Sequence, residues 1–122
     1  MPRHAVSIDA TQHDIAETWA DFGFVVFDLH KAAQGFSFVW DGERYHGGIA
    51  DLECHMGPIC VFVECKTPGG ELNAAQRFFR DMCKEEGIPY FVECNTVAAA
   101  RDAEDMRDWG WLHPVSRKIP GT

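Results

Sequence analysis

Three residues could do chemistry together: Asp51, Glu64 and Lys66. Glu64 and Lys66 lie in Ile59-Cys60-Val61-Phe62-Val63-Glu64-Cys65-Lys66, the clearest strand pattern in the chain. Strand alternation sends Val61, Val63 and Cys65 to one face and Cys60, Phe62, Glu64 and Lys66 to the other, so the charged pair shares a face. Asp51 lies in the preceding strand pattern, Ile49 to His55, and the turn Met56-Gly57-Pro58 folds the two strands into a hairpin that sets Asp51 beside Glu64. Two carboxylates converging on one point, with a main-chain carbonyl such as that of Cys65 between them, make an oxygen-donor set suited to Mg²⁺ or Mn²⁺. An adjacent lysine can orient or help deprotonate an attacking water, or offset charge on a phosphorane-like transition state, while the metal polarises the phosphate. An isolated Glu-x-Lys occurs by chance in roughly every second or third chain of this length. The weight therefore rests on its setting: a solvated charge pair does not ordinarily end a strand that is otherwise apolar.

The elements that must hold these residues can be read on either side. Thr67-Pro68-Gly69-Gly70 is a loop, and Asn73 followed by Gln76 is a capping-box signature for a helix that runs to Glu86 and stops at Gly87. Its apolar stripe is Ala75, Phe78, Phe79 and Met82, which leaves Gln76, Arg80 and Lys84 aligned on the other side. Upstream, Asp9 reads as an N-cap with Gln12 reaching back to it, opening a helix over 10–22 whose apolar positions are Ile15, Trp19 and Phe22 and whose stop is Gly23. Phe24-Val25-Val26-Phe27 is expected to be a strand buried on both faces. Phe36–Trp40 and Glu43–His46 flank Asp41-Gly42, the dipeptide best suited to a two-residue hairpin turn. Tyr90–Glu93 reads as a last strand and Ala98–Trp109 as a last helix, with a loosely held end from Pro114. This order predicts an α/β domain, a small mixed β-sheet flanked by helices.

Composition narrows the class. At 122 residues and 46% hydrophobic, the chain can build one core and is expected to be a single domain over 1–122. It has no apolar run of transmembrane length and no apolar segment after Met1-Pro2-Arg3-His4, so a soluble, cytoplasmic protein without a membrane partner is expected. Five cysteines are an odd count, three of them in segments that read as buried, which argues against a disulfide framework. The net charge of −8 argues against a protein that coats nucleic acid, because such affinity comes largely from Lys and Arg neutralising phosphates. A local basic rim of Lys66, Arg77, Arg80 and Lys84, with Arg101 and Arg107 as lesser candidates, would suffice for a site that recruits its own cations. Cys54, His55, Cys60 and Cys65 suggest zinc only weakly, since structural zinc prefers paired ligands at short spacing and alternation separates Cys60 from Cys65. His46 and His55 are candidate phosphate contacts, though such histidines are more often ordinary strand-end residues. No P-loop, G-x-S-x-G or dinucleotide fingerprint is present.

Taken jointly, Gly48-Ile49-Ala50-Asp51-Leu52, then Val61 to Lys66, then Thr67-Pro68-Gly69-Gly70-Glu71-Leu72-Asn73-Ala74-Ala75-Gln76-Arg77, closely resembles the VRR-NUC branch of the PD-(D/E)XK nucleases. That branch carries G-x-P-D-L, a strand with E-V-K, a Gly-containing loop and L-(S/T)-x-x-Q. The opening Asp9-Ala10-Thr11-Gln12-His13-Asp14-Ile15 is similar to the first helix of its small phage and prophage members. The resemblance spans roughly residues 9 to 95. It implies a restriction-endonuclease-like αβββαβ core and an endonuclease acting on DNA with Mg²⁺ or Mn²⁺, with branched or junction DNA and a homodimer as expectations. It makes Asp51 and Glu64 metal ligands, with the Cys65 carbonyl between them, Lys66 the catalytic lysine and Gln76 the helix residue completing the site. Arg77, Arg80 and Lys84 would meet substrate. Asp14 matches an acidic position of the first helix that joins the metal site; the competing reading is a solvated carboxylate favoured by the helix dipole. Two departures stand out: Ala50 replaces a proline and Cys65 a β-branched residue. The alternative on the same fold is a DNA-binding or assembly module without turnover.

Overall fold

Residues 8–29 and 36–112 are described by the computed structural model. The elements are α1 (Ile8–Asp21), β1 (Val25–Asp28), β2 (Ser37–Trp40), β3 (Glu43–His46), β4 (Leu52–Met56), β5 (Ile59–Cys65), α2 (Ala74–Glu86), β6 (Tyr90–Glu93) and α3 (Thr96–Leu112). Four strands form one sheet in the order β1-β4-β5-β6, antiparallel except for the β5–β6 pair, and β2 and β3 form a separate ribbon. Over the described residues the protein is thus a mixed α/β fold with a small mixed sheet and three helices, as the order of patterns predicts. Among the described residues no helix is long and apolar enough to cross a membrane. The tail from Pro114 and residues 30–35 lie outside the described residues.

Strand alternation divides the interior into two apolar clusters, one on each face of the sheet. Leu52, Cys54, Val61, Val63 and Cys65 face α1 and α3, where they meet Ile15, Trp19, Ala99 and Ala103. On the opposite face, Phe62 and Tyr90 pack against Phe79, Met82 and Cys83 of α2. The β4–β5 hairpin turns through Gly57, whose φ of +57° joins with the fixed φ of Pro58. In the β2–β3 ribbon, Asp41 and Gly42 both take positive φ, 53° and 81°, as the Asp-Gly turn predicts. This ribbon covers α2 from outside: Phe38 meets Phe79, Tyr45 and Trp40 meet Phe78, and Trp40 Nε1 donates to Glu86.

Several expectations change. β1 is not buried on both faces: among the described residues it pairs only with β4, Val26 packs on the core, and Val25 and Phe27 on the other face are 60% and 51% exposed. Apolar composition reports that a strand exists, while its place at the sheet edge is decided by long-range pairing. α1 begins at Ile8, so Asp9 lies in its first turn, and the Asp9 side chain is outside the described residues. Gln12 turns away from the helix start, donating instead to Asp28 at the end of β1. On α2 the buried residues are Phe79, Met82 and Cys83; Ala75 is exposed and Phe78 partly so, and Gln76 shares the sheet-facing side. The last helix starts earlier than Ala98, capped by Asn95, whose side chain accepts the Ala98 N–H.

Gly48 fixes how closely α2 approaches the strand that follows it. Its φ is +78°, and a Cβ there would sit 2.3 Å from the Ala75 carbonyl oxygen, so only glycine allows the contact.

Candidate active site

One step beyond the Leu52–Val63 pair of the hairpin, Asp51 stands opposite Glu64. Both sides of Asp51 are anchored: its carbonyl accepts the Leu29 N–H at 2.7 Å, and its Oδ2 accepts the Cys65 N–H at 2.9 Å. The first bond ties it to the end of β1 and the second to β5. Glu64 is 2% exposed. Its Oε2 accepts from Gln76 Nε2 at 3.1 Å and lies 3.7 Å from Lys66 Nζ. Its Oε1 is buried with no hydrogen-bond partner among the described residues. Burial, reinforced by the neighbouring Asp51 charge and a hydrogen bond between the two carboxyls, and opposed by Lys66, pushes the Glu64 carboxyl up to about 8. Asp51, Glu64, Lys66 and Gln76 are therefore brought together at one end of the sheet.

Lys66 is held there by the main chain, since its N–H donates to the Glu93 carbonyl and extends the parallel ladder by one residue. Cys65 is 3% exposed and its side chain belongs to the core, so only its main chain faces Asp51. Gln76 resolves a competition that the sequence leaves open. Its carbonyl oxygen accepts the Asn73 N–H at 2.9 Å while its amide donates to Glu64, so capping and site roles coexist in one conformation. Asn73 returns the bond by accepting the Gln76 N–H. The two functions can be separated. Asn73→Ala should cost about 1 kcal/mol of stability as a lost cap, with the site intact. Gln76→Glu should keep the cap acceptor but face Glu64 with a second carboxylate, and for a divalent cation proposed at the Asp51–Glu64 pair it should lower affinity roughly 10- to 100-fold as outer-shell changes do. Thermal melts and metal titrations read the two effects; equal losses of metal affinity in both variants would refute the division.

The other expected site residues fall at different distances. Arg80 and Lys84 line a cavity of about 330 Å³ with Ile88, Tyr90 and Val92, beside the site on the α2 face. Arg80 also pairs with Asp81, and Arg77 donates to the Leu72 carbonyl, which fastens the loop entering α2. Asp14 is exposed on α1, and among the described residues no hydrogen bond or ion pair joins its side chain to Glu64 or Lys66. Arg107 stacks over Phe22 and pairs with Glu104 and Asp108, on the helix layer across the sheet. His46 is exposed at the end of β3. His55 lies four residues down β4 from Asp51, about 13 Å along the strand. The five cysteines are free thiols, with Cys54 and Cys65 facing the core away from His55 and Cys60, so the four-residue zinc set does not assemble.

Tyr90 belongs to the site's surroundings and carries no local motif. Its hydroxyl is buried without a hydrogen-bond partner among the described residues. Burial first, then the charges of Glu64, Cys83 and Asp51, hold it well above the usual phenol range. Only the parallel pairing of Tyr90 with Phe62 puts it on the Glu64 face, and alternation along β6 is the one signal that could point to it.

No family model, no curated protein and no solved structure matches the chain.

Proposed function

We propose that this chain is a divalent-metal-dependent DNA endonuclease that hydrolyses phosphodiester bonds, of the VRR-NUC-like PD-(D/E)XK kind. The observation that carries this reading is Glu64: a buried carboxylate with one oxygen unpartnered, its other oxygen shared by Lys66 and Gln76, and a second carboxylate beside it. Such a pair is costly when both groups are ionised and is relieved by a proton on Glu64 or by a shared cation, so the donor chemistry fits a cation. Mg²⁺ or Mn²⁺ held by Asp51 and Glu64, next to the Cys65 main chain, would neutralise the pair and polarise a phosphate. Gln76 keeps the Glu64 carboxylate oriented, and the Cys65 N–H does the same for Asp51. Lys66 supplies a fixed positive charge where charge accumulates on the phosphate oxygens. Arg80 and Lys84, on the same side of the sheet, would meet phosphates of a DNA strand. Further support comes from the order α1, β1, β4, β5, α2, β6, which follows the αβββαβ arrangement that the motifs imply. Branched or junction DNA is the substrate and a homodimer the working form in this reading. The net charge of −8 favours a second one, a binding or assembly module that does not turn over.

The deciding experiment uses labelled four-way junction, linear duplex and plasmid DNA. Cleavage should require added Mg²⁺ or Mn²⁺, stop with chelator, and return when the ion is restored. Binding of any of these DNAs without cleavage under every divalent ion tried would replace the nuclease with the silent module.

A further inference from the structure

Lower on the same hairpin, a different set of donors converges. His55 and Cys60 are direct cross-strand partners on β4 and β5, and Glu53 lies two residues before His55 on the same face. His55 Nε2 is 2.6 Å from Glu53 Oε2 and 4.0 Å from Cys60 Sγ, and one donor atom from each residue lies within 4.8 Å of the other two. All three are half-buried, and the Phe27 ring meets the His55 ring edge-on at 5.6 Å, which restrains the imidazole. A single ring nitrogen thus faces both a carboxylate oxygen and a thiol. One proton on Nε2 serves only one of them at a time, whereas one cation satisfies all three donors.

We propose that Glu53, His55 and Cys60 form a zinc site on the β4–β5 hairpin, separate from the Asp51–Glu64 pair. Thiolate and imidazole select Zn²⁺ over Mg²⁺ or Ca²⁺, which take oxygen donors. Tetrahedral zinc with bonds of about 2.0–2.3 Å holds its donors roughly 3.3–3.8 Å apart. The observed separations of 2.6 and 4.0 Å bracket that range, so side-chain adjustment without strand movement closes the site. Three protein ligands leave a fourth position for water. Zinc here staples β4 to β5, the two strands that deliver Asp51 and Glu64, and the inference stands whether or not that pair is catalytic.

The test begins with chelator-stripped full-length protein. Metal analysis after zinc addition and desalting should find one zinc per chain retained, and zinc at about a hundred times its Kd should raise Tm by roughly 10 °C. Cobalt as a spectroscopic substitute should give a thiolate-to-cobalt charge-transfer band. That band should vanish in Cys60→Ser, bind cobalt at least about tenfold more weakly in His55→Gln and in Glu53→Gln, and persist in Asp51→Asn. Circular dichroism confirms the fold of each variant, and the two half-exposed positions give an answer even if Cys60→Ser does not fold. The site is refuted by wild-type protein that retains no zinc, by a band that survives Cys60→Ser, by unchanged cobalt affinity in both other variants, or by a band lost in Asp51→Asn.

Discussion

Under the proposed endonuclease function, Glu64→Gln is expected to lower kcat for DNA cleavage by roughly 10²–10³-fold, the range for removing one preorganised charge-handling group, while making the metal-free protein more stable. The two signs belong together. In the metal-free state Glu64 is buried against Asp51, so the folded wild type must hold a proton there below about pH 8 or a buried charge above it, and the neutral amide avoids both costs. The replacement amide can still accept from Gln76 and can donate to Asp51. A purely structural Glu64–Lys66 ion pair predicts the reverse for stability, because its loss would leave Lys66 with no counter-charge. Cleavage assays and melts in chelator therefore separate the two roles, and a destabilised, fully active Glu64→Gln would end the catalytic assignment. The same carboxyl makes stability depend on pH. Glu64 and Glu93 are both raised from 4.5 to about 8, so the folded chain keeps protons that the unfolded chain has released. Their stabilising contribution is complete below about pH 4.5. It then declines with rising pH until about pH 8. Chelated wild-type protein should accordingly lose Tm across that window, and Glu64→Gln should lose less; a flat profile in both would contradict the burial argument.

The largest stability effect is expected at Trp19. Trp19→Ala should cost about 3–5 kcal/mol as a large buried aromatic is deleted, a major part of the 5–15 kcal/mol typical of a whole domain. Trp19 is fully buried, meets Phe24 edge-on at 4.9 Å and Phe91 at 5.9 Å, and its Nε1 donates to Glu93 Oε1 at 2.9 Å. It therefore joins α1 to β6 by both packing and a hydrogen bond. Trp19→Phe divides these contributions: ring contacts survive, but Glu93 loses its donor while its other oxygen already has no partner among the described residues. Burial and the adjoining Asp102 raise the Glu93 carboxyl, and the tryptophan bond opposes that rise, so Trp19→Phe should push it further up. A cost of about 1–3 kcal/mol is expected, as for a buried polar group left unsatisfied. Chemical denaturation of the three proteins reads this directly, and Trp19→Phe matching the wild type above pH 8 would show that the Glu93 bond contributes nothing.

What the sequence revealed was local. Asp41-Gly42 required positive φ, Asn73 and Gln76 offered a reciprocal cap, Gly87 a left-handed stop, and each signal lies within a few residues of its effect. The hairpin that sets Asp51 against Glu64 was legible in outline for the same reason, because alternation and a tight turn lay the two strands side by side, although Met56 belongs to β4 and the turn is Gly57-Pro58 alone. Asn95 is a comparable local cap signal that the expected start at Ala98 leaves unused. What stayed hidden depended on partners far along the chain. The edge position of β1, the turn of Gln12 toward Asp28, the placing of Tyr90 near Glu64 and the cover of α2 by the β2–β3 ribbon all follow from pairings that no short window contains. The apolar stripe of α2 was legible in part: Phe79 and Met82 are buried as their spacing implies, whereas Ala75 is exposed and Phe78 meets Trp40 and Tyr45 of the ribbon.

The contact between Gly48 and the first turn of α2 works as a mechanical stop. It lies three residues before Asp51 and presses on the residue before Gln76, so main chain rests on main chain at the point where the two arms of the site converge. No rotamer can yield there. The gap between the arms is a hard dimension of the fold, and an extra methyl group would act on it as a wedge, opening the site from outside without touching a charged atom.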